Sequence, residues 1–247
     1  MIQSCCKPDQ TNSNFFQEIV CNECSLDPLC QVIEYAEPGS GVPDGILARR
    51  RPVQRGEMLF VMNQPFQAIY AVKSGSFKAV TYDQTGAERV VGFFLSGDLI
   101  GVEGMANQTY SYGVRALEVG SVCCLEVDRL AHTGRSTEVL QGALITMLGQ
   151  EVAMNHLVTS SLIRQNAEQR LGAFILSLVR RSAVRGLSQR NLGLSMSRSD
   201  MASYLGLARE TVSRVLSRFQ NNELIRLRKH SIEVLDLDGL ERVSSSD

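Results

Sequence analysis

A stretch near the C-terminus has the pattern of two short helices joined by a tight turn. Residues 198–205 predict a first helix, with Ser197 or Ser199 as its N-terminal cap. Gly206 follows as the turn, and residues 208–220 predict a second helix whose apolar residues recur on one face. Because a helix, a glycine-containing turn and a second helix form the signature of a helix-turn-helix, we expect this segment to bind DNA.

The second helix carries polar side chains that suit the reading of base edges. Its apolar residues, which we expect to pack inward, are Val212, Val215, Leu216 and Phe219. The residues that project from its N-terminal half are Arg209, Glu210, Ser213, Arg214 and Ser217. Arg214 can pair with guanine, Glu210 can accept from the amino group of cytosine, and Ser213 can bind a base edge or a phosphate. The alternative is a set of exposed charges on an ordinary surface helix.

The positive charge of the chain is concentrated in the same region. Residues 164–230 contain 13 Lys and Arg against 4 Asp and Glu, whereas residues 1–163 contain 11 against 17. A basic block in a chain of net charge −1 indicates a polyanionic partner for that block alone. Residues 224–235 predict a β-hairpin, or wing, with Arg228 and Lys229 at its tip near the DNA phosphates and His230 as a turn residue.

The middle of the chain has the pattern of a small antiparallel barrel or roll. Between residues 53 and 127, short β-rich runs alternate with turn residues. The runs are residues 58–61, 68–72, 77–82 and 90–95. Their close spacing, with glycines between them, predicts strands joined by tight turns.

A long helix is predicted to follow, over about residues 138–165. Residues recur along one face of it at spacings of three and four: Ile145, Leu148, Val152, Asn155, Thr159 and Leu162. So narrow a seam on a long helix predicts a coiled coil with the same helix of a second chain, that is, a homodimer. The alternative is a core helix within one chain. A further helix is predicted over residues 167–184.

Seven cysteines indicate a metal or redox site. Their number is odd and neither a signal peptide nor a membrane-spanning run is evident, so we expect a cytoplasmic protein without a disulfide framework. Cys21, Cys24 and Cys30 place three thiolates in ten residues, which we interpret as a compact loop. Three thiolates require a fourth ligand.

The fourth ligand is predicted to come from the pair Cys123 and Cys124 on a β-strand. Neighbours on a strand face opposite sides. Cys123 shares a side with Leu125, which we take as inward, and Cys124 shares a side with Glu126, which we take as outward. We therefore choose Cys123; the thiols that we interpret as peripheral are Cys5, Cys6 and Cys124. Four thiolates suit either zinc or an iron–sulfur cluster, and the residues alone leave both open.

Several motifs are specific when they occur together. They are residues 21–30, Ala116-Leu117-Glu118 leading to Val122-Cys123, residues 166–171, and residues 204–207 followed by 210–214. Together they closely resemble the CRP/FNR family of bacterial regulators, in its oxygen-sensing FNR branch. The resemblance implies an α+β fold with an N-terminal β-roll like that of cyclic-nucleotide-binding domains, a long dimerisation helix and a C-terminal winged helix-turn-helix. The corresponding divisions are residues 1–31 (cysteine segment), 32–136 (roll), 137–165 (dimer helix) and 166–247 (DNA-binding domain).

The resemblance also implies a function, that of a regulator and not an enzyme. The matching cysteines are Cys21, Cys24, Cys30 and Cys123, which would hold an oxygen-labile [4Fe-4S] cluster. An intact cluster would favour dimerisation and DNA binding when oxygen is scarce, mainly to activate anaerobic or microaerobic genes. The residues that match or flank the DNA-reading motif are Arg209, Glu210, Thr211, Ser213 and Arg214; the sites read would be palindromes of TTGAT type. The loop from Asp83 to Arg89 resembles a surface that contacts RNA polymerase.

Two positions depart from the family pattern. Relatives that bind cyclic nucleotides have an Arg-Ser pair shortly before the position of Val114, where this chain has Tyr-Ser-Tyr-Gly at residues 110–113. Without that arginine to bind a phosphate, we expect no cyclic nucleotide. FNR-type relatives often have a carboxylate in the dimer seam where this chain has Asn155, and we hypothesise that its cluster-free form dimerises more readily.

Two other functions are alternatives. The first is a DNA-binding regulator whose cysteines form a zinc site or a thiol switch. The second is an iron–sulfur electron carrier or enzyme. It is disfavoured because no nucleophile–base pair, phosphate-binding glycine loop or substrate motif is evident in the sequence.

Overall fold

The computed structural model describes residues 18–34, 47–126, 142–149, 152, 166–229 and 231–245. These residues form two compact units. The first contains the described residues up to 81 and from 93 to 152, and the second contains residues 82–92 and the described residues from 153 onward. Within the described parts of the chain, no helix has the length and apolar character needed to cross a membrane.

Two four-stranded sheets form a β-roll. The first consists of β1 (Leu47–Val53), β3 (Ile69–Ser74), β6 (Leu99–Ile100) and β8 (Gly120–Leu125), in the order β1-β8-β3-β6. The second consists of β2 (Met58–Phe60), β4 (Phe77–Tyr82), β5 (Glu88–Phe94) and β7 (Gly113–Ala116), in the order β2-β7-β4-β5. Since β8 pairs antiparallel with both β1 and β3, the strand that carries Cys123 and Cys124 is central in its sheet.

Glycine permits the tight connection between β3 and β4. Gly75 has a φ of +84°, and a Cβ atom at this position would lie 3.0 Å from the Cα atom of Gly120.

The sheets enclose a core in which Ile69, Phe77 and Val122 are fully buried. Each such side chain contributes about 1.5–3 kcal/mol relative to an exposed one.

Three described helices belong to the first unit. They are α1 (Asp27–Glu34), α2 (Gly104–Asn107) and α3 (residues 142–149). A 3-10 turn (Cys21–Glu23) precedes α1, so the stretch expected to be a compact loop is partly helical. Proline is well suited to the first turn of a helix, and Pro28 follows Asp27 there. Leu26 and Leu29 are almost completely buried against the roll and thereby hold this segment in place.

The second unit contains the predicted helix-turn-helix and wing. Its helices are α4 (Ala167–Val184), α5 (Arg198–Leu205), α6 (Arg209–Asn221) and α7 (Leu237–Ser245). Its strands are β9 (Asn191–Gly193), β10 (Ile225–Arg228) and β11 (Ser231–Val234), which form an antiparallel sheet in the order β10-β11-β9. The residues of α4 that were predicted to share one face are all buried: Leu171, Phe174, Ile175, Leu178 and Val179. Asn166 caps this helix through a capping box with Gln169.

Candidate nucleic-acid interface and metal-ligating cysteines

The turn between α5 and α6 is built by local hydrogen bonds. Ser197 caps α5: its hydroxyl accepts from the amide of Asp200 at 3.0 Å, and the Asp200 carboxylate accepts from the Ser197 amide at 3.0 Å. Gly206 ends the helix with φ 64° and ψ 37°, a left-handed conformation that favours glycine. The Leu207 amide then donates to the carbonyl of Ala202 at 3.0 Å, which fixes the direction in which the chain leaves the helix.

The cap distinguishes between the two serines that the sequence offers. We expect Ser197→Ala to lower the free energy of unfolding of the DNA-binding domain by about 0.5–2 kcal/mol, because it removes the partner of a helix N-terminal amide. Ser199→Ala is the matched control and should change this free energy by less than about 0.5 kcal/mol. Urea denaturation followed by circular dichroism measures both. Equal losses for the two variants would contradict the assignment.

The second helix of the helix-turn-helix, α6, is anchored by its apolar face. Val212, Val215 and Leu216 are buried, as is Phe219, in agreement with the predicted inward side. The guanidinium of Arg218 forms an ion pair with Glu168 of α4. This anchoring leaves residues of the other face of α6, such as Glu210 and Arg214, exposed.

The predicted DNA-reading residues lie on that other face. Arg209, Glu210 and Arg214 are exposed, and Thr211 and Ser213 are partly buried. Residues 210, 213 and 214 are three and four positions apart, which places their side chains side by side on a helix. Ser213 already has a protein partner, because its hydroxyl oxygen accepts from Nη1 of Arg198 at 3.4 Å. The structure thus brings Arg198, which the sequence interpretation did not select, next to the predicted set.

The wing differs in one respect from its prediction. Arg228 is the last residue of β10 and not a tip residue, since it pairs across the hairpin with Ser231. Its guanidinium donates to the Glu233 carboxylate at 3.0 Å, and Arg226 donates to the same oxygen at 3.1 Å. These cross-strand contacts lower the pKa of Glu233. Only Lys229 among the described residues remains at the turn, and His230 lies outside them.

The loop expected to contact RNA polymerase is held by an aspartate. One carboxylate oxygen of Asp83 accepts from the Thr85 amide at 2.9 Å, from the Thr85 hydroxyl at 2.6 Å and from the Ala87 amide at 3.1 Å. These bonds lower the pKa of Asp83 to about 2. Gly86 supplies a φ of +80° at the turn. The loop therefore presents a preformed shape.

Two of the predicted cysteine ligands, Cys21 and Cys24, lie in a hydrogen-bonded turn. The third, Cys30, lies in the helix α1 that follows. The Cys24 amide donates to the Cys21 carbonyl at 3.0 Å, and the Cys30 amide donates to the Leu26 carbonyl at 3.0 Å. Cys24 and Cys30 pack against the same core as Cys123. None of the described cysteines is in a disulfide. Cys5 and Cys6 lie outside the described residues.

The sides of the sheet that we predicted for Cys123 and Cys124 are wrong, whereas the choice of Cys123 as the ligand stays a prediction. Cys124 lies opposite Tyr70, whose ring stacks on Phe60 of the other sheet, so Cys124 faces the interior of the roll. Cys123 lies opposite Ala71 and faces the other side of the sheet. The alternation argument failed because both sides of β8 are covered, as the complete burial of Val122 and Leu125 shows. Burial also raises the pKa of the Cys124 thiol.

The chemistry of the four thiols Cys21, Cys24, Cys30 and Cys123 fits an iron–sulfur cluster or zinc. All four are partly exposed, and three of them pack on one core. Among the described residues, however, no three Cys, His, Asp or Glu side chains are close enough together to hold a metal ion. Ligation would therefore have to draw these thiols together.

The interior of the roll is filled by aromatic rings and a carboxylate. The rings of Phe60 and Tyr110 stack with centroids 3.6 Å apart, and the Tyr110 hydroxyl donates to the Ala68 carbonyl at 2.8 Å. The Tyr112 hydroxyl donates to the Glu103 carboxylate at 2.7 Å. Glu103 is partly buried, and its negative charge opposes the binding of an anion such as a phosphate beside it.

The stability of the protein should depend on pH through the Glu103 carboxylate. Burial raises the pKa of Glu103 above its ordinary value. The folded state therefore binds this proton more tightly than the unfolded state does. Ionisation of Glu103 then lowers the free energy of unfolding as the pH rises. We expect Glu103→Gln to raise the unfolding temperature at pH 8, with a difference that shrinks toward pH 4. Glu126→Gln, at an exposed site, is the control. A lower unfolding temperature for Glu103→Gln at pH 8 would contradict this.

The helix α3 has one buried and one exposed apolar side. Met147 is fully buried, and Leu144 and Leu148 pack partly against the core of the roll. Ile145 is 68% exposed, and Val152, seven residues later and also helical, is 55% exposed. The remaining residues of the predicted seam, Asn155, Thr159 and Leu162, lie outside the described residues.

The fold and the exposed helix α6 define a winged helix-turn-helix DNA-binding protein with a β-roll domain. Residues 169–243 match the Crp-like helix-turn-helix domain, and residues 50–134 match the cyclic nucleotide-binding domain. The chain is 36% identical to the transcriptional activator protein Anr of Pseudomonas aeruginosa, over 87% of this chain and 88% of that protein. It is 33% identical to the fumarate and nitrate reduction regulatory protein of Escherichia coli, over 92% and 90%.

The chain belongs to the CRP/FNR family of transcription regulators, in its FNR-type branch. The fold agrees with this assignment. The structure of FixK2 from Bradyrhizobium japonicum superposes with a TM-score of 0.63 at 23% identity, covering 80% of this chain and 98% of that chain. The protein is a DNA-binding transcription regulator, and its relatives are regulators and not enzymes.

Proposed function

We propose that this regulator responds to oxygen through a [4Fe-4S] cluster. Its ligands would be Cys21, Cys24, Cys30 and Cys123, with DNA bound while the cluster is intact. The observation that carries the proposal is the position of Cys123, half-buried on β8 against the same core as Cys24 and Cys30. A relative 33% identical to the chain is named anaerobic regulatory protein in Haemophilus influenzae. Bound there, the cluster would supply an oxygen-labile link between the cysteine segment and the roll.

The chain would act as a homodimer through the exposed side of α3 and its continuation. Ile145 and Val152 are large apolar residues that lie one heptad apart and are exposed in the single chain. A second copy of the same helix would cover them and present two α6 helices to two half-sites of a palindrome. Binding of the cluster would draw the cysteines onto the roll that supports α3, and this would favour the pairing of the two helices.

At each half-site the exposed residues of α6 would read the bases. Arg214 would donate two hydrogen bonds to a guanine, and Glu210 would accept from a cytosine amino group. Ser213, Arg209 and Thr211 would add contacts to base edges or phosphates. The family pattern makes a TTGAT-type half-site the sequence to test.

Two further points concern the partners of the roll. Its interior favours a domain that binds no cyclic nucleotide, because residues 110–113 supply no arginine for a phosphate and the Tyr112 hydroxyl donates to the Glu103 carboxylate. The preformed loop around Asp83 would contact RNA polymerase when the protein activates transcription.

A thiol switch or zinc site is the second candidate function. The separation of the thiols among the described residues favours the thiol switch over the zinc site, because zinc, like a cluster, needs its ligands close together. Cys124 is a poor choice for the reactive group, since burial raises its pKa and keeps the thiol protonated.

The deciding experiment is anaerobic purification followed by exposure to air. We expect a brown protein with about four iron atoms and four acid-labile sulfides per chain. Binding to a TTGAT palindrome should be tight before exposure to air and weak after it. A colourless protein that contains zinc and binds DNA equally in both conditions would overturn the proposal.

A further inference from the structure

Lys73 of β3 is a buried cation next to the cysteine segment. Its side chain is only 4% exposed, although lysine side chains are rarely buried without a partner. Its Nζ atom donates to the carbonyl of Ile19 and lies 3.8 Å from Sγ of Cys21. The backbone continues the contact, because the Ile19 amide donates to the Lys73 carbonyl at 3.0 Å.

A carboxylate close to this ammonium also pairs with an arginine. Glu18 lies 3.8 Å from the Lys73 Nζ atom, but its carboxylate is 3.0 Å from the guanidinium of Arg50. Two cations therefore share one carboxylate at the point where the chain enters the cysteine segment. Besides this shared carboxylate, the Lys73 ammonium has the Cys21 sulfur as a neighbour, and a thiolate at that position carries negative charge.

We propose that Lys73 is a positioning residue for the cysteine site. Its buried ammonium holds residues 18–21 against β3 and places a positive charge next to the Cys21 sulfur. This inference rests on the proposed function, since four thiolates around an iron–sulfur core carry net negative charge. Charge and hydrogen bonds at the ligand sulfurs are among the features by which a protein tunes such a cluster. No local sequence pattern predicts this role, because Lys73 is 43 residues or more from the first three cysteines and 50 from Cys123.

The test compares Lys73→Met with Lys73→Arg in the full-length protein. Methionine has a similar length and removes the charge, whereas arginine keeps it. The first measurement is amide hydrogen exchange at Ile19 in the protein as purified without oxygen. The second is the half-life of the visible absorbance under an iron chelator, also without oxygen. Lys78→Met, which makes the same change on β4 of the other sheet, is the control.

We expect Lys73→Met to exchange the Ile19 amide at least about tenfold faster and to lose its absorbance about tenfold faster than the parent protein. Lys73→Arg should remain closer to the parent in the chelator half-life, and Lys78→Met should equal the parent in both measurements. Circular dichroism establishes that each variant is folded.

Two outcomes would overturn the inference. One is a Lys73→Met variant that equals the parent in both measurements. The other is faster exchange with an unchanged chelator half-life, which would make Lys73 a structural residue only. If the parent itself binds no iron–sulfur cluster, the proposed function fails separately. The exchange of the Ile19 amide then decides whether Lys73 holds the segment, and an unchanged rate refutes it.

Discussion

Replacing Arg214 by alanine should lower the affinity for a TTGAT-type palindrome by about five- to 150-fold per half-site, which corresponds to about 1–3 kcal/mol. The side chain is exposed on the face of α6 opposite to its buried residues. It would donate two parallel hydrogen bonds to a guanine, and alanine can make neither. Specificity at that base pair should relax together with the affinity.

The matched control for this variant is Arg180→Ala. Arg180 lies on α4, is 60% exposed and pairs with Glu241 at 3.6 Å, so its loss changes the charge of the domain equally but leaves α6 untouched. Fluorescence anisotropy with the palindrome and with a scrambled duplex measures both variants. If Arg214→Ala weakened binding to the two duplexes by the same factor, Arg214 would be a phosphate contact and not a base reader.

Replacing Cys123 by serine should abolish cluster binding, whereas Cys124→Ser should preserve it. The two residues are adjacent on β8 but face opposite sides, and Cys124 lies opposite Tyr70 in the roll interior. We expect about four iron atoms per chain in Cys124→Ser and fewer than about one in Cys123→Ser after anaerobic reconstitution. Absorbance and iron analysis provide the measurement.

The reverse pattern would assign the fourth ligand to Cys124 and would require the interior of the roll to open. Full iron content in both variants would exclude the pair as ligands altogether. Cys30→Ser serves as the positive control for loss, because it removes one of the first three predicted ligands without changing the roll strands.

The DNA-binding domain was the part that the sequence predicted best. Its helices have strong apolar periodicity and clear ends, such as the Asn166 cap of α4 and the left-handed Gly206 after α5. Local signals of this kind are sufficient because the backbone hydrogen bonds of a helix form within the helix itself. The strand β9 and the helix α7 were not predicted, since their places depend on tertiary contacts: β9 pairs with β11, and a Cβ at Gly172 of α4 would clash with Ser244 of α7.

The roll was predicted in outline but not in detail. Strands β2 to β5 lie within two residues of the predicted runs. Strand β1 was missed because three arginines and Pro52 obscure its pattern, although proline is tolerated on an edge strand such as this one. The two residues of β6 are too few for any periodicity to show.

Parts of the candidate cysteine site could not be predicted from local sequence patterns. The choice between Cys123 and Cys124 depended on knowing which side of the sheet is covered, and both sides are. The contacts of Lys73 with Ile19 and Cys21 join residues more than 50 positions apart, and no local pattern announces them. Such long-range pairs are visible only after the strands have been placed.

The paired arginines of the wing have a consequence for how binding depends on ionic strength. Affinity for DNA falls with added salt because each phosphate that a protein neutralises sets condensed counterions free. Arg226 and Arg228 already share the Glu233 carboxylate, so they would release fewer counterions on contact than two unpaired arginines. The salt dependence of binding should therefore be shallower than the 13 cations between residues 164 and 230 suggest, with a larger share of the affinity coming from contacts to bases.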